Sequence, residues 1–230
     1  MSQDTDNLLA SLLIAASTNW GLSEKDIKEY IGKMGYHESK SNPSAIQKLN
    51  DGSHGRGRGI LQYEIDEKKG FPEYKTVQGG AHTGINRLID FNKKLGDKYD
   101  ISFINKILPQ QYDVSGDAYP ENIHSGPNPK NLFDFSELDE QSQFIVFLAD
   151  KLGDPTANMG KYDVDGDGKL SNRELAEFHA DEHWAGYEGA DINNPKNAYP
   201  NFLSKLTKKG MDERNAFIEK LVKDYQYYKP

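Results

Sequence analysis

The chain has 230 residues, and its 36% hydrophobic and 11% aromatic content is typical of a folded protein rather than a disordered one. The net charge of −8 argues against a general nucleic-acid binder, which would normally carry a basic face. The sequence contains no cysteine, which excludes disulfides and thiolate chemistry. No Pro/Gly-rich linker divides the chain, so we expect one domain over residues 1–230.

Hydrophobic periodicity predicts a mainly helical protein. The predicted helices cover residues 6–18, 24–38, 79–95, 101–108, 137–152, 172–184 and 211–227. The apolar run at 8–16 follows Asp4 and Asp6 rather than basic residues, and it is too short to span a bilayer. It therefore indicates a buried amphipathic helix and not a signal peptide or a membrane insertion.

Two of the predicted helices carry recognisable N-cap residues. Ser23 precedes the second helix, with Asp26 in its first turn. Ser136 is the predicted N-cap of the fifth helix, with Asp139 at the N3 position. These caps predict where both helices begin.

The glycine-rich stretch NDGSHGRGRGILQ, residues 50–62, predicts turns and a small hairpin. Its two arginines form one short run in an acidic protein without interleaved aromatics, which argues against RNA binding. They suit a solvated turn and equally a contact with the carboxylates of peptidoglycan stem peptides. Residues 109–134, rich in Pro, Gly and Asn, predict a long irregular segment.

Glu38 ends the apolar face of the second predicted helix. Ile27, Ile31 and Met34 precede it at spacings of four, three and four residues, which places all four on one face. Burial there disfavours the charged carboxylate, and a general acid that works near neutral pH needs this property. A solvated Glu at a helix end would show the same periodicity, so spacing alone leaves both interpretations open.

The wider string favours catalysis. The motif E-S-x-x-N-P-x-A, Glu38 to Ala45, precedes G-x-G-x-L-Q, Gly57 to Gln62. Over residues 7–63 this ordered pair resembles the lysozyme-like lytic transglycosylases, which are similar to goose-type lysozymes and act on bacterial peptidoglycan. The resemblance implies a mainly α-helical, lysozyme-like α+β fold in which a small β-hairpin lines the sugar cleft. It implies that Glu38 is the catalytic acid/base and that Ser39, Gly59 and Gln62 contact substrate.

The third motif of that family, Ala-Tyr-Asn-Ala-Gly, is only partly matched. The nearest string, residues 182–186, keeps the Ala-Gly but has His183 in place of the tyrosine. Tyr187 is a second candidate for that position. The resemblance therefore adds His183 and Tyr187 to the predicted substrate-binding residues and leaves the residue opposite Glu38 open.

One carboxylate is enough for a lytic transglycosylase. Glu38 would protonate the glycosidic oxygen and then accept a proton from the C6 hydroxyl of the muramic sugar, which closes a 1,6-anhydro ring. A hydrolytic muramidase (lysozyme) would instead need a positioned water, commonly held by a second carboxylate. Four carboxylates near the hairpin keep that alternative open: Asp51, Glu64, Asp66 and Glu67.

DVDGDGKLSNRE, residues 163–174, matches the EF-hand calcium loop. The predicted Ca²⁺ ligands are Asp163, Asp165, Asp167, the Lys169 carbonyl, Ser171 and Glu174. Gly168 occupies the sharp-turn position of the loop. The sequence has no second loop of this kind, so we expect an inserted structural clamp that fixes the start of the following helix.

Two readings from other functional classes compete with a glycan-cleaving enzyme. HADEH, residues 179–183, fits the inverted zinc-peptidase pattern and would make His179 and His183 zinc ligands. The other is a calcium-stabilised structural protein without catalytic activity, because a fold does not guarantee a function.

The expected partner is bacterial peptidoglycan, and we expect a monomer that binds no nucleic acid. Without a recognisable signal peptide, we expect a bacteriophage origin, as an endolysin or a virion-associated lysin, with a bacterial enzyme exported by another route as the alternative. The expected location is therefore the virion, or the host cytoplasm before release to the periplasm and cell wall.

Overall fold

The computed structural model describes residues 3–48, 54–64, 81–107, 135–155, 157–182, 187, 189 and 203–230. In this part of the chain there are six α-helices: α1 (Gln3–Trp20), α2 (Glu24–Ser39), α3 (Ala81–Lys94), α4 (Glu140–Gly153), α5 (Asn172–Glu182) and α6 (Lys208–Tyr225). Short 3-10 helices cover Ser102–Lys106, Phe135–Glu137, Met159–Tyr162 and Leu203–Lys205. Three short strands, β1 (Ile46–Lys48), β2 (His54–Arg58) and β3 (Tyr63–Glu64), form an antiparallel sheet in chain order.

The mainly helical class with a small antiparallel sheet is confirmed. The predicted helix at 101–108 is the 3-10 helix Ser102–Lys106 and not an α-helix. The side chain of Asp100 accepts a hydrogen bond from Ser102 N (2.8 Å) at its start, and a segment this short gains little from α-helical pairing. The irregular segment predicted at 109–134 lies outside the described residues.

One predicted cap is confirmed and the other is wrong. Ser23 caps α2, because its Oγ accepts a hydrogen bond from Asp26 N (3.1 Å). Helix α4 is capped instead by Asp139, whose Oδ1 accepts from Ser142 N (2.8 Å). Ser136 lies inside the 3-10 helix Phe135–Glu137, and α4 begins only at Glu140, so Ser136 is too far from the first turn of α4 to cap it.

The chain forms two compact units, whose boundaries fall within α1 and α2. The first unit contains Met1–Leu13 and Glu38–Gly153, and the second contains Ile14–His37 and Asp154–Pro230. The prediction of one domain over residues 1–230 stays a prediction.

In the first unit α3 and α4 pack closely against each other. Gly84 permits this approach, since a Cβ at that position would lie 2.8 Å from Val146 Cγ1. The start of α1 adds Leu8 and Leu12 to the buried core, which confirms the predicted buried amphipathic helix for this part of the run at 8–16. Burial of these apolar side chains is the main contribution to the stability of the unit.

In the second unit α5 packs on α6. A buried ion pair joins the two helices: Arg214 Nε donates to Asp181 Oδ1 (2.6 Å) and Arg214 Nη2 donates to Oδ2 (3.1 Å). Tyr162 OH donates a third hydrogen bond to Asp181 Oδ2 (2.9 Å). Burial raises the pKa of Asp181, while the hydrogen bonds and charge of Arg214 act in the opposite direction.

No helix in the described part of the chain is both long enough and apolar enough to cross a membrane.

The sheet of the first unit is anchored to the helices through Asp150, which is 1% exposed. Tyr63 OH donates to Asp150 Oδ2 (2.9 Å), and Arg87 Nη1 donates to Oδ1 (2.6 Å). The ring of Tyr63 also stacks on Phe135, with centroids 4.8 Å apart. Asp150 therefore connects the start of β3, α3 and α4.

Replacing Tyr63 with phenylalanine removes one donor from this buried carboxylate and keeps the ring. We expect a loss of about 1.5–3 kcal/mol in the free energy of unfolding, since the hydrogen bond is made to a charged group. Urea denaturation followed by circular dichroism measures the change. The control is Tyr227→Phe, at a side chain that is 69% exposed, where equal destabilisation would contradict the prediction.

Candidate active site and calcium loop

Glu38 is the penultimate residue of α2, and its side chain is half-buried. The predicted apolar face is confirmed, because Ile27, Ile31 and Met34 are at most 2% exposed. Helical periodicity thus brings the carboxylate to a partly desolvated position at the end of the helix. Its catalytic role stays a prediction.

The chain leaves α2 through two consecutive left-handed residues. Lys40 and Ser41 have φ angles of 57° and 60°, a conformation that side chains with a Cβ adopt at a cost of order 1 kcal/mol or more each. The Ser39 Oγ accepts a hydrogen bond from Asn42 N (3.1 Å), which closes the turn. Strain of this kind persists only where surrounding contacts hold it, and it often occurs at functional sites.

An Asx turn follows and leads directly into the sheet. Asn42 Oδ1 accepts from Ser44 N (3.0 Å), so the Asn-Pro pair sets the direction of the chain. Ala45 O then accepts from Gly59 N (2.8 Å), and Ile46 is paired with Arg58 in the adjoining strands. The two sequence motifs, 38–45 and 57–62, are therefore neighbours in the first unit.

Gln143 of α4 joins the same two motifs, and the sequence patterns did not identify it. Its Oε1 accepts a hydrogen bond from Ile60 N (2.6 Å). Its Nε2 donates to Pro43 O (2.9 Å) and to Leu138 O (2.8 Å). The side chain is 1% exposed, so these bonds form without competition from solvent.

Gln62 closes the turn at residues 57–62, the glycine-rich turn, through a hydrogen bond within it. Its φ angle is 51°, and its side-chain Nε2 donates to Gly59 O (2.7 Å). The described geometry therefore gives Gln62 a local role in holding the turn. Substrate binding by Ser39, Gly59 and Gln62 stays a prediction.

The third predicted motif belongs to the second unit and is only partly described. His183 lies outside the described residues. Tyr187 is buried, its hydroxyl donates to Ala180 O (2.8 Å), and burial raises its pKa. That contact suits a packing role, and substrate binding by Tyr187 stays a prediction.

The EF-hand-like loop runs from Asp163 into the first turn of α5. Asp163 accepts hydrogen bonds from Gly166 N (2.9 Å), Asp167 N (3.1 Å) and Gly168 N (2.9 Å). Gly166 and Gly168 have φ angles of 73° and 80°, which glycine adopts without steric cost. The first side chain of the loop thus organises the backbone that follows it.

Carboxylate oxygens of Asp163, Asp165 and Glu174 lie within 4.8 Å of one another, and among the described residues this is the group that could hold a metal ion. Burial disfavours the charged form of Glu174, but hydrogen bonds from Ser171 N and Val164 N outweigh it and its pKa is lowered. Carboxylate oxygens that converge in this way fit a hard divalent cation.

Tyr30 of α2 anchors the middle of the loop. Its hydroxyl accepts a hydrogen bond from Leu170 N (2.6 Å), and burial raises its pKa, so the hydroxyl stays protonated at neutral pH. Lys33 of the same helix donates to Asn172 Oδ1 (3.0 Å). The EF-hand-like loop and the start of α5 are thus hydrogen-bonded to the part of α2 that belongs to the same unit.

The zinc-peptidase alternative gains no support from the described residues. The ring of His179 is 2% exposed and its Nδ1 is hydrogen-bonded to Tyr225 OH (2.6 Å). The ring also lies edge-on to His37, whose Nδ1 contacts Asp224 Oδ2 (2.7 Å). The described metal-binding group does not include His179, and His183 is not among the described residues.

Comparisons with protein families, curated proteins and solved structures found no match to this chain.

Gly59 and Gly96 allow the packing of the glycine-rich turn to be tested. Both glycines have a φ angle of +74°, but a Cβ at Gly59 would lie 2.2 Å from Gln143 Oε1, whereas a Cβ at Gly96 would meet nothing within 4 Å.

We expect Gly96→Ala to lower the free energy of unfolding by about 1–2 kcal/mol, the cost of a left-handed alanine. Gly59→Ala should cost about 1–3 kcal/mol more, since it also overpacks the contact with Gln143. Chemical denaturation of both variants measures the difference. Equal losses would mean that Gln143 does not press against the turn.

Proposed function

We propose that this protein is a peptidoglycan lytic transglycosylase that cleaves the β-1,4 bond between N-acetylmuramic acid and N-acetylglucosamine. The observation that carries the proposal is the contact between Gly59 N and Ala45 O (2.8 Å). It places the glycine-rich turn beside the exit of the helix that bears Glu38. Two motifs that resemble those of one enzyme family in sequence are thus also adjacent in space.

Glu38 is the proposed acid and base. As the acid it gives its proton to the glycosidic oxygen while the bond to the muramic sugar breaks through an oxocarbenium-like state. As the base it then takes a proton from the C6 hydroxyl, whose oxygen bonds to C1 and closes the 1,6-anhydro ring. The carboxyl group ends the cycle protonated, as it began. A half-buried position at a helix end supports this alternation, since both forms must be accessible.

The proposed setting is bacteriolysis by a phage enzyme, as an endolysin or a virion-associated lysin. Its support is the proposed substrate, which is the bacterial wall. Neither nucleic-acid binding nor membrane insertion is part of this proposal.

The proposed cofactor is Ca²⁺. Asp163, Asp165 and Glu174 provide converging carboxylates, and the loop sequence adds Asp167, Ser171 and the Lys169 carbonyl. When bound, the ion would supply positive charge that offsets the repulsion between these carboxylates. The chain's own contribution is the preformed backbone, held by Asp163 and Tyr30. We propose a structural role for the ion, separate from the reaction.

Replacing Glu38 with glutamine tests the proposed acid/base. The amide cannot transfer the proton, so we expect cleavage of purified peptidoglycan to fall by about 100-fold or more with an unchanged melting temperature. Glu24→Gln, at an exposed residue in the first turn of the same helix, should retain wild-type activity. Full activity in Glu38→Gln would contradict the assignment.

Mass spectrometry of the wild-type digest identifies the reaction. Products with 1,6-anhydromuramic ends are the expected result. Reducing ends would instead identify a hydrolytic muramidase that cleaves the same bond. Cut stem peptides would contradict both the transglycosylase and the muramidase. No turnover by the folded wild-type protein would favour a structural role.

Calcium removal tests the loop. Binding only to the folded state stabilises a protein by about 2.7 kcal/mol when the free ion is at 100 times its dissociation constant, so we expect Ca²⁺ to raise the melting temperature and EDTA to lower it. Glu174→Gln should abolish the shift. Glu177→Gln, one turn later in α5 and paired with Arg173 at the surface, should keep it. An EDTA-insensitive wild-type melting temperature would contradict calcium binding.

A further inference from the structure

We infer that Gln143 is a positioning residue of the proposed reaction: its amide fixes the glycine-rich turn against the segment that leaves the helix of Glu38. The inference rests on the proposed function and adds a residue that lies about 100 positions from that helix exit in the chain. Gln143 does not itself touch the reacting atoms in this scheme. It acts through the two backbone segments that it joins.

The hydrogen-bonding capacity of the amide matches its surroundings. A glutamine side chain has one carbonyl acceptor and two N–H donors. The Gln143 Oε1 accepts a hydrogen bond from Ile60 N (2.6 Å), and the Nε2 donates to Pro43 O (2.9 Å) and Leu138 O (2.8 Å). No other neutral side chain of similar length offers this combination, so the site selects for glutamine.

The contact is also tight enough to define a distance. Gly59 lies against the Gln143 amide so closely that a Cβ would come within 2.2 Å of Oε1. The glycine-rich turn thus makes a hydrogen bond to Gln143 through Ile60 N and a tight van der Waals contact with the same side chain through Gly59. Close packing of this kind resists displacement in either direction.

Helix α4 holds the far end of the same segment as well. Asp150 is two helical turns after Gln143 and accepts a hydrogen bond from Tyr63 OH (2.9 Å). Ile60 and Tyr63 are three residues apart in the chain, and each is hydrogen-bonded to a side chain of α4. A helix that holds both ends of a turn is a device for positioning it, beyond what burial of apolar surface requires.

The consequence for catalysis is geometric. Lys40 and Ser41 follow Glu38 in the strained left-handed conformation, which needs support from outside the segment. The bond from Gln143 to Pro43 O, together with that from Gly59 N to Ala45 O, provides such support. Loosening it would let the helix end and the glycine-rich turn drift apart, which reduces kcat, since small misplacements of catalytic groups are costly.

Three full-length variants separate positioning from simple stability. Gln143→Met keeps the length of the side chain and removes all three hydrogen bonds. Gln143→Glu keeps the acceptor for Ile60 N but loses both donors when ionised. Gln141→Met is the matched control on the same helix, where the amide makes an exposed hydrogen bond to Asp6 Oδ1 (2.7 Å).

The first readout is amide hydrogen exchange, which does not depend on activity. In Gln143→Met the amide of Ile60 should exchange at least about tenfold faster than in the wild type, while the amides of α5 keep their protection. Gln141→Met should leave Ile60 unchanged. Unchanged exchange at Ile60 in Gln143→Met would overturn the inference.

The second readout is cleavage of soluble uncrosslinked glycan strands, at a temperature where circular dichroism shows every variant folded. We expect kcat to fall by about tenfold or more in Gln143→Met, with a smaller change in KM. In Gln143→Glu, the activity relative to wild type should rise as the pH falls, because the protonated carboxyl regains a donor. A purely structural residue would leave kcat of the folded variant at the wild-type value, and that result would overturn the inference.

The proposed function and the positioning role of Gln143 are contradicted by different results, the first in the wild type and the second in the variants. A folded wild type that cleaves no glycan overturns the proposed function and, with it, the catalytic role of Gln143. An active wild type whose kcat and pH profile are matched by both Gln143 variants overturns the positioning role alone.

Discussion

The first unit depends on one buried amide. Gln143 satisfies main-chain groups from three segments that are far apart in the sequence: the exit of α2, the glycine-rich turn and the 3-10 turn before α4. A buried main-chain group without a partner is costly, so loss of the amide would weaken the contacts between these segments. The pairing of β1 with β2 continues this arrangement, since Ala45 precedes the start of β1 and Gly59 follows the end of β2. The strained residues after Glu38 are held by this set of contacts together with the local hydrogen bond from Asn42 N to Ser39 Oγ.

The second unit uses polar contacts for a different purpose. Asp181, Arg214 and Tyr162 form a buried network that joins α5 to the segment before the calcium loop and to α6. Desolvation of the two buried charges offsets much of their attraction, so the ion pair adds little net stability compared with apolar packing. Tyr30 meanwhile supplies an acceptor for Leu170 N and ties the loop to α2. A lone EF-hand-like loop is thereby accommodated within one unit, and the proposed ion would complete a backbone that is already folded around Asp163.

The proposed chemistry needs little from the protein beyond placement of a single carboxyl group. Glu38 must be partly desolvated and must keep a constant distance to the sugar through both proton transfers. The half-buried position of Glu38 at the end of α2 meets the first need. In this proposal, the constant distance to the sugar depends on the glycine-rich turn and on its hydrogen bonds to Gln143 and Asp150 of α4. Gln62, folded over its own turn, contributes to the shape of that turn in the described structure.

The positions of the six described α-helices, the cap at Ser23 and the small hairpin follow from the sequence alone, because periodicity, capping and glycine conformation act within a few residues. The periodicity at 101–108 did not distinguish a 3-10 helix from an α-helix. The pattern also placed Glu38 on the apolar face and identified the loop that begins at Asp163. Gln143 lies at the start of a largely apolar run in α4 that is buried from residue 142 to residue 150, so a polar side chain there signals a buried hydrogen-bonding role. Its partners could not have been read in the same way, since Ile60 and Pro43 are 83 and 100 residues away in the chain. Local sequence determined which elements form and which residues face inward, whereas the tertiary structure alone decided which backbone groups those residues satisfy, because such bonds depend on contacts between segments that no local preference encodes.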